Sequence, residues 1–249
     1  MLRAIWIMWL RELKKFSRSR SRIVGALGQP ILYLFALGYG LGHVFEAAGR
    51  GSYIQFLVPG IISMAVIYTS MFNGMQIIWD RQFGFLKETL VAPVPRVAIM
   101  LGRTFGGATV ATAQGCIVFA LTLLFGFHPS SWPLVIPAIL VMFMIASLFS
   151  SFGITVASFV TDMQGFQLVM NLLVMPMFFL SGALFPLTDS PPFLRAMALI
   201  DPLSYGVDGM RALLIDAPHF GIAMDVAVLL ATMAKFLAFG SYRFTKLEV

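Results

Sequence analysis

The stretch DRQFGFLKETLVAPVPR, Asp80–Arg96, decides how the rest of the chain is read. It is a short charged strip set between two long apolar runs, residues 54–79 and 97–127. Each run exceeds the roughly 20 residues that a helix needs to cross a bilayer. Within the strip, Leu86, Leu90 and Val91 recur at helical spacing, Lys87 and Glu88 turn elsewhere, and Pro93 and Pro95 stop any helix. Arg81, Lys87 and Arg96 place the strip on the cytoplasmic side by the excess of basic residues that inside loops carry. Two readings fit these residues: an ordinary basic inside loop, and a small helix on which a cytoplasmic partner pushes.

Composition sets the class. Of 249 residues, 59% are hydrophobic and 11% charged, and mean hydropathy is +0.89. A soluble domain is normally about one quarter charged, so the chain is expected to be an all-α polytopic membrane protein. Its length suits a single domain, residues 1–249, with six transmembrane helices. The net charge of +6 is unevenly spread. Arg3, Arg11, Lys14, Lys15, Arg18, Arg20 and Arg22 precede the first span, and Arg243 and Lys246 follow the last. Only Arg50, Arg195 and Arg211 fall in segments assigned to the outside. Both termini are therefore expected in the cytoplasm. The basic excess sits where membrane topology needs it, which disfavours nucleic acid as a partner. Cys116 is the single cysteine, so no internal disulfide or thiol cluster forms.

From the N-terminus, Leu2, Ile5, Trp6, Trp9, Leu13 and Phe16 share a helical face, with cations on the others. Residues 1–22 thus predict an interfacial helix, Trp at headgroup depth and cations towards anionic membrane lipid. The first span is expected over 23–45. The second is expected to open on a bend at Val58-Pro59-Gly60, with Asn73 and Gln76 as glue between helices. The third runs over 97–125; Arg103, just inside its inner end, is expected to snorkel to the headgroups. Gln114, deep in that span, must find a partner. The fourth, fifth and sixth spans are expected over 134–159, 166–185 and 222–239. Residues 188–219 are too polar and broken to span. Here Ser190 ahead of Pro191-Pro192, and Asp201 ahead of Pro202, signal N-caps of two short helices, 191–200 and 202–215. Ser204, Asp208 and Arg211 share a face of the second, with Asp208 and Arg211 spaced to pair. So much apolar area favours a re-entrant pair dipping into the outer leaflet over a plain surface loop.

Absent chemistry narrows function. There is no G-x-x-x-x-G-K-[ST] to hold ATP, no H-E-x-x-H and no G-x-S-x-G. His43, His128 and His219 fall near predicted outer ends, a placement that suits the interface better than a metal. An ion-coupled secondary transporter would need a carboxylate at midplane, and none is found there. A membrane enzyme would need a clustered nucleophile, base or metal site. Aromatic and Met side chains on spans one, two and five favour an amphipathic substrate over ions.

Two sets of residues carry a family resemblance. R-x-x-G-x-L-x-x-x-L-V-x-P-V-x-R (Arg81 to Arg96) resembles the loop between the second and third spans of type-2 ABC exporter permeases, a family that includes daunorubicin-resistance and nodulation-factor exporters. F-L-S-G-x-x-F-P (Phe179 to Pro186) and P-L-S-Y-x-x-D-x-x-R (Pro202 to Arg211) resemble the end of the fifth span and the outer helices of the same permeases. Gln82 and Lys87 depart from the pattern, standing where relatives often carry acids. The resemblance implies that residues 80–96 form a coupling helix seated in a groove of a separate ATPase, with Arg81, Gly84, Leu86, Glu88, Leu90, Pro93 and Arg96 as contacts. It implies outer-helix roles for Ser181, Gly182, Pro186, Asp201, Pro202, Tyr205, Asp208 and Arg211. It further implies a permease subunit in a bacterial or archaeal inner membrane, paired with a second copy of itself and two ATPase subunits that hold the ATP and Mg. The chain itself would bind no cofactor and catalyse nothing. The cargo would be a drug-like or lipid-linked molecule leaving the cytoplasm, or alternatively a lipid-linked polysaccharide.

Overall fold

The computed structural model describes residues 1–47, 49, 51–84 and 95–245. Among them every regular element is helical: α1 (Leu2–Arg18), α2 (Arg20–Gly40), α3 (Gly42–Ala47), α4 (Tyr53–Phe72), α5 (Met75–Gln82), α6 (Arg96–Leu124), α7 (Val135–Ala157), α8 (Met163–Leu180), α9 (Pro192–Ile200), α10 (Pro202–Ile215) and α11 (Ile222–Thr245), with short 3-10 turns at Trp132–Leu134 and Leu187–Asp189. Hydrocarbon offers no partner for backbone polar groups, so an apolar chain of this kind satisfies them within helices. Among the described residues, six helical stretches are long and apolar enough to cross a membrane: Ile23–Gly40, Tyr53–Gln82, Arg96–Leu124, Trp132–Ala157, Met163–Leu180 and Ile222–Arg243.

The core lies where α4, α6 and α7 meet. In the α4–α5 span 72% of the most apolar window is buried, against 17% for α2, 22% for α8 and 11% for α11. Three spans therefore form a central sheaf, and three present apolar flanks outward.

The second span is interrupted at a different place from the one its proline suggests. Pro59 lies early in α4, where it forfeits a single bond, and the helix runs through it. Ser63 Oγ donates to the Pro59 carbonyl at 2.8 Å. The break falls at Asn73–Gly74, between α4 and α5. There the backbone tightens into i→i−3 bonds, Asn73 to Ser70 and Gly74 to Met71. A Cβ on Gly74 would strike the Gly153 carbonyl of α7, and one on Gly153 would strike the Met71 carbonyl. Two glycines thus let two backbones touch where a side chain would hold them apart.

The two short helices before the last span form close to their expected limits. Asp201 caps α10, its Oδ1 accepting from the Leu203 N–H at 2.9 Å. Ser190 does not cap α9: Pro191 occupies the cap position, and Ser190 Oγ donates to the Pro186 carbonyl instead. Two successive prolines leave the first turn with few N–H groups for a cap to satisfy.

Candidate functional site

Two polar clusters lie at opposite ends of the bundle. At the first end, α1 docks on α6 rather than only lying beside it. Gly102 and Gly106 clear the space: Cβ atoms there would come within 2.7 Å of Met8 Cβ and 2.9 Å of Glu12 Cβ. The docked face is Ile5, Met8, Trp9 and Glu12, at i, i+3, i+4 and i+7, whereas Leu2 and Trp6 of the apolar stripe remain exposed. Trp9 Nε1 donates to Thr109 Oγ1 at 3.0 Å, so its polar tip is spent on protein.

Behind this helix, Asp80 joins three elements. Its Oδ2 accepts from Arg103 Nη2 of α6 at 2.5 Å, and its Oδ1 from Arg11 Nη2 of α1 at 3.0 Å. Asp80 is 5% exposed and Arg103 3%. The expected snorkelling of Arg103 is thereby overturned. A carboxylate within reach offers a charge-assisted bond that keeps the guanidinium inside, where a paired ion escapes most of the cost of burial. Asn73 and Gln76 are the expected interhelical links: Asn73 Nδ2 donates to the Arg103 carbonyl at 3.4 Å, and Gln76 Oε1 accepts from Lys15 Nζ at 3.0 Å. Burial lowers the Lys15 ammonium from its ordinary value, against an opposing pull from Glu12. Sequence reasoning did not single out Arg11 and Asp80. The one available signal was an acid ending an apolar run.

Of the strip, Arg81 lies on α5, Gly84 takes a positive φ of 79° just beyond it, and Arg96 opens α6. Leu86, Glu88, Leu90 and Pro93 lie outside the described residues.

Hollows among the described residues adjoin this end. A cleft of about 670 Å³ between α1, α4 and α5 is lined by Arg11, Lys15, Gln76, Trp79 and Phe83 among others. A second, smaller cavity of about 370 Å³ lies between α2 and α4, bounded by Gln29, Pro30, Tyr68, Thr69, Phe72 and Gln114. Its wall comes mainly from α2 and α4, with Phe16 of α1 and Gln114 of α6. Gln114 Nε2 donates to the Ile23 carbonyl at 3.4 Å, while its buried Oε1 has no partner among the described residues.

At the other end, α10 is buried among α4, α7 and α11. Asp208 and Arg211 are not paired with each other, which corrects the expected i,i+3 bridge. The Asp208 carboxylate accepts from the His219 and Phe220 N–H groups, both at 2.7 Å, and more weakly from Gly221. Arg211 Nη2 donates to the carbonyls of Gly182 at 2.7 Å and Ala183 at 3.2 Å. Its Cζ sits 3.9 Å above the Phe56 ring. Both side chains reach loop backbone that their own helix cannot satisfy, and these several bonds replace one exposed ion pair. Burial lowers the Arg211 guanidinium to about 10, with Asp208 and then Tyr53 pulling back.

The other expected outer residues cluster here too. Ser181 Oγ donates to the Phe178 carbonyl, Gly182 has a φ of 73° that favours glycine, and Pro186 leads into the 3-10 turn. Pro202 starts α10, and the Tyr205 hydroxyl donates to the Leu199 carbonyl at 3.0 Å. Burial raises the Asp201 carboxyl to about 7, the Leu203 bond opposing. Among the described residues, no group of three His, Cys, Asp or Glu is placed to hold a metal ion.

The chain matches the family model for the ABC-2 type transporter over residues 3–215. It is 27% identical over 241 residues to Nodulation protein J of Sinorhizobium fredii, covering 94% of this chain and 91% of that one. It is 30% identical over 221 residues to the inner membrane transport permease YadH of Escherichia coli, covering 85% and 84%. These matches, with six apolar helices, make it a multi-pass transmembrane transporter subunit. The chain belongs to the ABC-2 type transporter family.

Proposed function

We propose that the chain is the permease of an ATP-driven exporter, moving an amphipathic drug-like or lipid-linked molecule out of the cytoplasm. A second copy of the chain completes the path, and two separate ATPase subunits bind ATP and Mg. Residues 80–96 couple them to the spans, with both termini cytoplasmic, α1 at the inner interface and α9–α10 re-entrant from outside. Closure of the ATPase pair is a rigid-body motion passed through the strip.

The observation that carries this reading is the cavity between α2 and α4. Its lining is apolar and aromatic, with Gln29, Tyr68, Thr69 and Gln114 as uncharged polar groups. Such a wall takes an apolar body and orients it through a few hydrogen bonds. The test is ATP-dependent uptake of a fluorescent amphiphile into inside-out vesicles that hold the chain and its ATPase. Thr69→Trp fills the cavity and is expected to cut uptake about tenfold while ATP binding by the partner persists. Uptake that needs no ATPase and follows an ion gradient contradicts the proposal.

A further inference from the structure

Among the described residues, the cleft at the α1 end carries more positive charge than its acids neutralise. Of these acids, Asp80 alone faces both Arg11 and Arg103. Glu12, the next acid, approaches Lys15 only at 4.0 Å and is itself buried. Lys14 and Arg18 continue the basic rim around an adjoining hollow of about 440 Å³ that also touches Arg11 and Lys15. Beside these cations the cleft wall is aromatic. Trp79 and Phe83 are stacked with ring centroids 5.3 Å apart, and both are exposed, so an apolar chain can lie along their faces.

We propose that this cleft is a binding site for a phosphate-headed amphiphile. The headgroup lies against Lys15, Arg11 and Ser19, and the hydrocarbon chain runs along Met75, Trp79 and Phe83. An ammonium and a guanidinium bind phosphate oxygens through charge-assisted bonds, and the Ser19 hydroxyl adds a donor. The cleft volume of about 670 Å³ falls in the range of about 300–1,000 Å³ that small-molecule sites occupy. Phe72 lines both this cleft and the cavity between α2 and α4, so the site adjoins the proposed path. The same chemistry has two sources: a resident phospholipid of the bilayer, or the transported molecule waiting at the entrance. The second source rests on the export reading, whereas the site itself does not.

The full-length chain in nanodiscs, without ATPase or ATP, provides the test. Tryptophan quenching by chain-brominated phosphatidylglycerol is compared with quenching by brominated phosphatidylcholine, and a Trp79→Phe variant subtracts the signal of Trp6, Trp9 and Trp132. The anionic lipid is expected to quench Trp79 the more strongly. Lys15→Glu is expected to weaken that preference about tenfold, and Lys15→Arg to retain it. Displacement by unlabelled phosphatidylglycerol assigns the site to a resident lipid, and stronger displacement by a single-chain alkyl phosphate assigns it to cargo. Equal quenching by both headgroups in the parent chain, or a preference unchanged in Lys15→Glu, overturns the site. That failure would leave the ATP-driven reading intact, because no energised step enters the measurement.

Discussion

At the α1 end, Asp80 is gripped by guanidiniums from two other helices; at the α10 end, Asp208 and Arg211 stand three residues apart and bind different loops. The same pair of chemical types serves two purposes. Across helices, a buried ion pair ties elements together, and each charge depends on the other. Within one helix, each charge collects stray backbone groups: Asp208 holds the start of α11, and Arg211 holds the turn after α8. The first arrangement joins α1 and α6 to the helix that leads into the 80–96 strip, and the second closes the opposite end.

Removal of Asp80 is expected to give the largest effect. Asp80→Asn leaves Arg103 buried without a counter-charge, a cost of about 3–5 kcal/mol. Thermal melting of the detergent-solubilised chain, followed by fluorescence-detected size exclusion, reads it. A loss no larger than that of an exposed substitution would mean the pair carries no structural weight.

Arg211→Ala comes next, at about 2–3 kcal/mol, because it strands two carbonyls and removes the stacking on Phe56. The sharper comparison is a pair of double-mutant cycles. Asp80 with Arg103 is expected to couple by about 1–3 kcal/mol, and Asp208 with Arg211 by about 0.5 kcal/mol or less. Equal coupling in the two cycles would erase the distinction between the ends.

At pH 5, where the buried parent carboxyl keeps its proton, the smallest effect is expected from Asp201→Asn, which retains an acceptor for Leu203 and removes only the titration. Burial raises the Asp201 carboxyl from 3.8 to about 7. Between those values the folded chain therefore retains a proton that the unfolded chain has released. Its contribution is full below the lower value and is lost as pH rises through the higher one. The parent melting temperature should fall from pH 5 to pH 8 relative to the variant. Parallel profiles would show that Asp201 ionises normally.

The six apolar helices, the Asp201 cap and the two short helices α9 and α10 were legible in the sequence because their causes are local: apolar runs, a Pro-Pro pair and an Asp-Pro pair. The Asp80 cluster was not, since its partners lie 69 and 23 residues away and no periodicity states which helices will meet. Arg103 looked free for want of a nearby acid in sequence. Asp208 and Arg211 looked paired because i,i+3 spacing is visible and the competing loop backbone is not. The break at Asn73–Gly74 escaped for the same reason: it is set by contact with Gly153 on another helix.

The most direct test of the central claim is purification of the tagged chain from its native membrane, followed by ATP hydrolysis assays on the complex and on the chain alone. The expected result is hydrolysis that travels with a separate polypeptide bearing a phosphate-cradling loop, is absent from the isolated chain, and is lost from the preparation in Leu86→Asp. Hydrolysis by the chain after every other polypeptide has been removed would contradict it, as would full retention of the ATPase by Leu86→Asp and Leu90→Asp.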